Sequence, residues 1–591
     1  MRLSSALLVL LPAVLMSRAW ASAPEVVIDP GGVPPEALQS IIGAVDAITR
    51  LAEDQDGGEV SRLRRRAYDA TLSALNTQGY FTPIVTLEVG KDYAGETWDI
   101  IIEPGKRTVV DQVDLGFSGP ISQPAYAPRV ESLRQQWPLR KGNVFINSAW
   151  GTAKTELLDD VSRKDFYFAR YRLTQAVVDP QASEVDLTLD IESGPQVRLG
   201  PLDTEGLVRV PESLVTRYVK YTPGEPYDQD RLDEWQQALQ STTFFRGAFV
   251  TLDASNEARR TNEDGSVELP VKVRVSEAAA RRAVGSLGLD SDNGVRVEGL
   301  YRQNIVFGLP VAVEAGAGVD KNRQRAFFDV HLPPSESGYR DSFGTLFEHS
   351  DIEGLDNRRV GVGWLRRQER KAAGDSRVEY ETVWNLVAAH DRTRISGAEG
   401  YDVPTLVATW NWLRRDVNAK YDPREGNLVD LGLGVGTTLD SGQPFYRAGL
   451  RAQQWWPIGQ YDVLTVRGEV GKVWTKTDRL PQDFGYRTGG ARSIRGYRYD
   501  SIGLNVGDAV VGAPTLAVAS VEYTHYLNEQ LGINFFVDAG DAASSFGDMD
   551  IALGYGAGVA FRTPAGPFYV DLAYGQRDRR LRLHFSLGIA F

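Results

Sequence analysis

A single arginine set among glycines is the residue whose surroundings most suggest chemical work. The segment Gly489-Gly490-Ala491-Arg492-Ser493-Ile494-Arg495-Gly496-Tyr497 pairs two glycines with a flanked Arg-Gly, a pattern that makes a tight turn and presents a guanidinium. Two stretches downstream alternate with period two, so each divides into two faces. Ser520, Glu522 and Thr524 share one face, with Ala519, Val521 and Tyr523 opposite. Asn534, Phe536, Asp538 and Gly540 share another, with Ile533, Phe535, Val537 and Ala539 opposite. Glu522 and Asp538 thus fall on the polar faces of neighbouring strands. Arg495 could bridge them in a charge-assisted contact worth ~1.5–3 kcal/mol. Such a contact pins a loop; it makes and breaks no bond. The competing reading leaves Arg495 in solvent and the carboxylates hydrating a cavity, and spacing alone does not choose between the two.

Enzymatic constellations are missing from the chain. There is no Gly-x-Ser-x-Gly elbow and no His-Glu-x-x-His run. Only 5 histidines are present. His390 and Asp391 are adjacent, so on a strand they point to opposite faces and make a poor dyad. His584 falls on a polar strand face with no nucleophile placed beside it. With Cys at 0, disulfides, zinc–thiolate sites and cysteine nucleophiles are excluded. A formal net charge of −13 gives no basic footprint for nucleic acid. The sequence indicates neither an enzyme nor a metal or cofactor site.

The elements that must position these residues change rhythm along the chain. From about Ala283 onward, short alternating runs are separated by polar turns. Sixteen can be marked: 283–289, 295–301, 310–317, 326–332, 344–351, 359–365, 379–388, 404–412, 428–436, 445–453, 462–471, 515–526, 532–540, 551–561, 567–575 and 581–591. That leaves about 19 residues for each strand and its connection, which suits tilted membrane strands of ~9–11 residues. The last run sets Leu581, Leu583, Phe585, Leu587, Ile589 and Phe591 on one face, with Arg582, His584, Ser586, Gly588 and Ala590 opposite. The run before it sets Phe568, Val570, Leu572 and Tyr574 against Tyr569, Asp571 and Ala573. A soluble sandwich would turn its polar face outward. An unbroken apolar stripe ending on a terminal Phe suits a lipid-facing wall, and a closed barrel leaves no strand edge unpaired in lipid. Carboxylates facing lipid would be costly, so Glu522 and Asp538 must face the lumen. The longest gap, 472–514, holds the arginine and no evident strand; a connection of that length is typically functional or disordered.

Residues 22–280 read as mixed α and β, with one pattern recurring every ~80–90 residues. An amphipathic helix leads through a short aromatic turn into two alternating strands. The helices are Ser61–Asn76, Ala149–Ser162 and Arg231–Gln240, and the turns are Gln78–Phe81, Lys164–Tyr167 and Thr242–Phe245. Gly79 suits a left-handed helix C-cap and Asp165 tolerates that geometry, whereas Thr243 does so poorly; the third turn is expected to be built differently. At the N-terminus, Arg2, the apolar run Ala6–Met16 and Ala19-Trp20-Ala21 have the order of a cleaved signal peptide. After it no run approaches the ~18 apolar residues of a membrane helix. The expected organisation is a signal peptide at 1–21, α+β domains at 22–104, 105–194 and 195–278, and a 16-stranded antiparallel barrel at 279–591.

Ile494-Arg495-Gly496-Tyr497 resembles the Val-Arg-Gly-Phe/Tyr loop motif of the BamA/TamA outer-membrane assembly superfamily. Phe535-Phe536-Val537-Asp538-Ala539-Gly540 is similar to its Phe-x-Asp-x-Gly strand motif. The three repeats resemble POTRA domains, and three of them, with the string from Gly489 to Tyr497, favour the TamA branch. The resemblance implies that Arg495 folds back into the barrel to pair with Asp538, with Glu522 as a second carboxylate. It implies assistance in assembling outer-membrane proteins such as autotransporters. Client strands would approach a seam between the first and last barrel strands, where Gly285, Gly288 and Gly588 would weaken pairing and Phe585 and Phe591 belong to the C-terminal signal. The implied partners are unfolded outer-membrane clients, membrane lipids and a large inner-membrane-anchored periplasmic protein of the TamB kind. A two-partner-secretion transporter, passing one exoprotein through the lumen, shares the motifs and is the alternative.

Overall fold

The computed structural model describes residues 24–52, 55, 57–91, 96–372, 374, 377–481, 483–563 and 566–587. The expected signal peptide at 1–21, Gly588 and Phe591 lie outside the described residues. Two compact units divide the chain. One is the described part of Met1–Asp203 with Tyr221–Leu232 and Thr251–Lys272; the other is Thr204–Lys220, Asp233–Val250 and the described part of Val273–Phe591.

Within the first unit one arrangement occurs twice. Strand Glu25–Asp29 pairs parallel to Glu96–Glu103, which pairs antiparallel to Ile84–Lys91, and helices Pro35–Thr49 and Gly57–Thr77 lie between the first two strands in sequence. Strand Val109–Ser118 likewise pairs parallel to Glu184–Glu192, which pairs antiparallel to Arg170–Asp179, with helices Ala127–Gln136 and Asn147–Ser162 in between. Alternation explains the burial. Every second residue of Glu184–Glu192, Val185, Leu187, Leu189 and Ile191, is buried with Trp150 and Leu157 from the second helix and Trp137 just past the first. The equivalent core of the first copy contains Trp98, Ile100 and Ile102 under Ile41, Val45 and Leu63. A third sheet has Val267–Glu277 as its middle strand, between Val197–Glu205 and Phe245–Leu252. The helix–strand turns differ as their residues require. Gly79 (φ 90°) and Asp165 (φ 63°) are left-handed, and Thr243 is not.

The second unit contains a 16-stranded antiparallel sheet in strict sequence order. Its strands are β1 (Arg281–Asp290), β2 (Gly294–Val306), β3 (Leu309–Val319), β4 (Arg323–His331), β5 (Tyr339–Ile352), β6 (Leu355–Lys371), β7 (Val378–Ile395), β8 (Tyr401–Val417), β9 (Gly426–Thr438), β10 (Pro444–Ile458), β11 (Asp462–Thr475), β12 (Thr515–Tyr526), β13 (Leu531–Ala543), β14 (Ala552–Thr563), β15 (Gly566–Gly575) and β16 (Arg580–Leu587). Each of the sixteen expected runs falls on a strand, the last as far as Leu587 where the described residues end, and several strands are longer than expected. The sheet curls into a near-closed barrel. Outward faces are apolar and bare: Leu572 pairs with Leu583 and Tyr574 with Leu581, and Leu572, Leu583 and Leu581 are 51, 59 and 64% exposed. Such faces require lipid.

Among the described residues the first and last strands of the barrel are not laddered, although every neighbouring pair from β1 to β16 shares a ladder. Their junction is marked by one backbone bond, from the Ser291 N–H to the Phe585 carbonyl at 3.2 Å. Gly285, expected to loosen the seam, has open space where a Cβ would stand, and Gly288 meets only Arg296 Cβ. The long connection after β11 contains the short hairpin Leu504–Val506/Ala509–Val511, contrary to the strandless loop expected. The hairpin arises because Gly507 (φ 60°) supplies a turn between two short apolar runs.

Candidate functional site

The connection between β11 and β12 folds into the lumen and is held along its length. The Tyr401 hydroxyl donates to the Leu480 carbonyl (2.9 Å), Arg359 and Arg447 bind Asp483, and Arg467 donates to the carbonyls of Arg492 (2.5 Å) and Ser493 (2.7 Å). Ile494 and Tyr497 are buried in an apolar cluster with Phe445, Phe484, Tyr486 and Ile502. Burying the residues on either side of Arg495 and Gly496 fixes where the guanidinium points.

Arg495 sits at the centre of the site, 7% exposed. It grips Asp538 of β13 with two side-chain bonds, Nε to Oδ2 at 2.8 Å and Nη2 to Oδ1 at 3.0 Å, and its backbone N–H donates to the same Oδ2 at 3.0 Å. Nη1 reaches Glu522 of β12 at 2.6 Å and Asp571 of β15 at 3.0 Å. The guanidinium carbon lies 3.4 Å from the ring centroid of Phe536. The structure therefore brings together Arg495, Asp538 and Glu522. It adds Asp571, Phe536 and two polar supports, since the Ser520 hydroxyl donates to Asp538 (2.6 Å) and the Asn534 amide to Asp571 (2.9 Å). Asp571 was legible as a lone carboxylate on the lumenal face of an apolar strand. What sequence could not supply was that β15 stands close enough to share the guanidinium.

Gly496 is clasped by β16. Its N–H donates to His584 Nε2 at 2.9 Å and its carbonyl accepts from Arg582 Nε at 3.0 Å. With Nε2 accepting, the neutral ring carries its proton on Nδ1, which faces Asp292 Oδ1 at 3.9 Å. The Tyr497 hydroxyl donates to the Leu553 carbonyl (3.0 Å) and accepts from the Arg577 N–H (3.0 Å). Glycines make the approach possible: a Cβ on Gly554 of β14 would lie 1.9 Å from the Arg495 carbonyl oxygen. Gly496 has φ 94°, and its Cβ would lie 2.6 Å from the backbone of Gly575. The site also reaches the first hairpin, because Asp292, in the turn between β1 and β2, accepts from the Ala491 N–H at 3.0 Å. Burial pushes the Asp292 carboxyl up to about 6. Loop, first hairpin and last strand thus meet beside the seam. Nothing in this set of donors and acceptors holds a nucleophile against a base.

Where the third sheet feeds the barrel, Glu277 is buried yet accepts the N–H groups of Val208, Arg209 and Val210 at 2.7, 2.7 and 2.8 Å. Burial raises this carboxyl, but those bonds with Arg209 outweigh it and hold it down at about 2.

An inward-folded loop inside a wall of sixteen antiparallel strands with apolar outward faces defines an outer-membrane β-barrel. Residues 339–591 match the model of the Omp85 superfamily domain. The chain is 22% identical over 480 residues to an outer membrane protein assembly factor BamA of Nitratidesulfovibrio vulgaris, covering 73% of this chain and spanning 57% of the relative's length. Its fold matches that of BamA from Haemophilus ducreyi lacking POTRA domains 1–3, at TM-score 0.67 and 14% identity, over 82% of this chain and all of that one. CdiB from Acinetobacter baumannii covers 89% of this chain and 97% of its own at 13% identity, with a TM-score of 0.41. The likeness to the Omp85 superfamily domain thus lies within the barrel, and the structural likeness is one of fold. The protein resides in the outer membrane, with its N-terminal domains on the periplasmic side.

Proposed function

We propose that this protein is a TamA-type subunit that helps insert and assemble other outer-membrane proteins, autotransporters among them. Domains 22–104, 105–194 and 195–278 act in this reading as POTRA domains. They receive unfolded clients and dock a TamB-like periplasmic partner through exposed strand edges. The observation that carries the reading is the junction of β1 and β16, which share no ladder among the described residues, next to a lumenal clamp that holds the neighbouring wall. A strand edge with unpaired N–H and C=O groups templates an incoming strand, while the pinned loop keeps the remaining wall in one shape. Arg495, Asp538, Glu522 and the Ile494–Tyr497 motif are positioning residues, not catalytic ones.

The absence of cysteine makes the test clean. One cysteine is placed within 283–289 and one within 585–589, the pair is oxidised, and assembly of client barrels is followed in proteoliposomes. Loss of assembly on oxidation, restored by reductant, is the expected result. Undiminished assembly with the crosslink complete rejects the seam and moves the function to export through the lumen, as in two-partner secretion.

A further inference from the structure

The turn between β8 and β9, residues 418–425, is long for its side of the membrane. β1 leaves the periplasmic domains and the strands alternate in direction, which places this turn at the periplasmic mouth of the barrel. Periplasmic turns of such barrels are short. Those after β2, β10 and β12 occupy only 307–308, 459–461 and 527–530. The longer turn is closed on itself. Asn418 Oδ1 accepts from the N–H groups of Arg424 (3.0 Å) and Glu425 (3.3 Å), and the Asn418 N–H donates to the Glu425 carbonyl at 3.1 Å. Gly426 (φ 112°) makes the bend into β9, where a Cβ would lie 1.9 Å from the Asp416 carbonyl oxygen. Arg377 ties down both ends, binding Asp416 at 2.6 Å and Glu425 at 3.0 Å.

From that base the turn reaches across the lumen. Asp422 pairs with Arg562 of β14, five strands along the wall from β9. The Arg424 guanidinium carbon lies 3.9 Å from the ring centroid of Tyr526 on β12, and that of Arg562 lies 5.5 Å from the same ring. Both partners are lumenal, since Tyr526 continues the face of Glu522 and Thr524, and Arg562 that of Gly554 and Ala560. Sixteen strands ~4.8 Å apart and tilted ~40° give a wall ~32 Å across, in which five steps subtend a chord of ~27 Å. A doubled-back turn of this length reaches ~14 Å, and the long Arg562 side chain meets its tip. The turn therefore bars the mouth instead of hanging beneath it.

The layer above the turn is apolar. Leu428, Trp455, Val463 and Tyr526, with Leu413 and Val417 packed against them, form a buried cluster on the lumenal face of β8–β12 at this end. Further in, the loop supplies a second apolar layer with Phe484 and Tyr486. Between the two lies a polar cavity of about 380 Å³, whose lining includes Asn411, Asp430, Arg451 and Glu469. Asn411 and Asp430 are the lumenal residues next above Leu413 and Leu428 on the same strands. The turn is held less firmly than the loop. Arg424 Nε and Nη2 are buried with no hydrogen-bond partner among the described residues, whereas Arg495 makes four side-chain bonds to carboxylates. We propose that residues 418–425 are a strap that closes the periplasmic mouth of the lumen to ions and small solutes, in series with the inward-folded loop. Releasing the strap joins the polar cavity to the periplasm while the loop stays docked.

The full chain is reconstituted in planar bilayers of phosphatidylethanolamine and phosphatidylglycerol, and conductance per barrel is read in dilute KCl, which leaves ion pairs weakly screened. The parent, Asp422→Asn/Arg424→Ala and Arg495→Ala, which frees the loop, should all stay nearly closed, because at least one seal remains in each. The triple variant Asp422→Asn/Arg424→Ala/Arg495→Ala should conduct at least tenfold more than any of them. Heat-modifiable migration checks that the barrel is folded; if the triple variant fails this, Asp422→Asn/Arg495→Ala is read in its place, with at least a threefold rise. Arg495→Ala alone conducting as well as the triple variant overturns the strap as a seal, and so does a triple variant no more conductive than the parent. Full conductance of Asp422→Asn/Arg424→Ala with the loop intact overturns the series arrangement. Ion flow through the lumen does not involve the seam, so any of these failures leaves the client-assembly reading standing.

Discussion

Replacing Arg495 with alanine should release the lumenal loop while leaving the barrel folded. The substitution removes four side-chain hydrogen bonds. It strands three carboxylates whose side chains are 0% (Asp538), 6% (Asp571) and 16% (Glu522) exposed. Removing one partner of a buried ionic cluster costs ~3–5 kcal/mol, because the remaining charges are left without compensation. That is roughly a 150- to 5,000-fold shift in the equilibrium between docked and free loop. The sixteen-strand ladder does not include Arg495, so heat-modifiable migration should persist. Limited trypsin digestion of the folded barrel reads the loop directly, since Arg487, Arg492 and Arg498 become cleavable once it leaves the lumen. Arg495→Lys should be intermediate, keeping the charge without the planar fork that grips both oxygens of Asp538. Client assembly should fall more than insertion of the variant itself. Cleavage rates in Arg495→Ala within threefold of the parent would refute the energetics, and equal assembly rates would refute the functional role.

Gly496→Ala should undock the same loop by sterics alone, combining a left-handed backbone with a Cβ driven against Gly575, and should show the same tryptic cleavage pattern with all charges intact. Asp292 provides a pH signature. Its folded carboxyl titrates near 6 against 3.8 unfolded, so the folded state binds the extra proton and stability declines as pH rises through that interval, by up to ~3 kcal/mol. Asp292→Asn should flatten that slope in thermal melts between pH 4 and pH 7; an unchanged slope rules Asp292 out as its source. Glu277 has the opposite sign, its stabilisation being present above 4.5 and lost as pH falls towards about 2. Glu277→Gln should cost ~1–3 kcal/mol and speed proteolysis at 206–211, with no change there counting against the capping account.

Strand number and order were legible because lipid on one side and a polar lumen on the other impose period two on every strand. The face assignments of Glu522, Asp538 and His584 came from the same rule. Pairing across strands distant in sequence was not legible. Asp571 is 76 residues from Arg495, and His584 lies 88 residues from Gly496. Their approach depends on how far the loop descends, which is set by its apolar residues and by the bare backbone of Gly554 and Gly575. The hairpin at 504–511 escaped notice because two three-residue strands carry too little alternation to register. The leading strand of the first copy and the first helices of the repeats were weak signals for another reason. Glu25–Asp29 and Pro35–Thr49 make sense only once the parallel pairing to Glu96–Glu103 is known.

The composition of the clamp bears on why it exists. One guanidinium faces three carboxylates, with Arg467 and Arg582 engaged on loop carbonyls and His584 neutral towards Gly496. A well-packed apolar cluster of equal volume would hold a loop at least as firmly, since buried ionic groups are expensive to desolvate. What the ionic cluster adds is geometry. Arg495 satisfies Asp538, Glu522 and Asp571 only when β12, β13 and β15 stand in one register, and Gly496 engages β16 only from that same position. An apolar plug would tolerate small slips among these strands; a fork of directed hydrogen bonds does not. The clamp therefore fixes the wall up to the last strand, while β1 is tied to it through Asp292 and, among the described residues, through the Ser291–Phe585 backbone bond rather than a ladder.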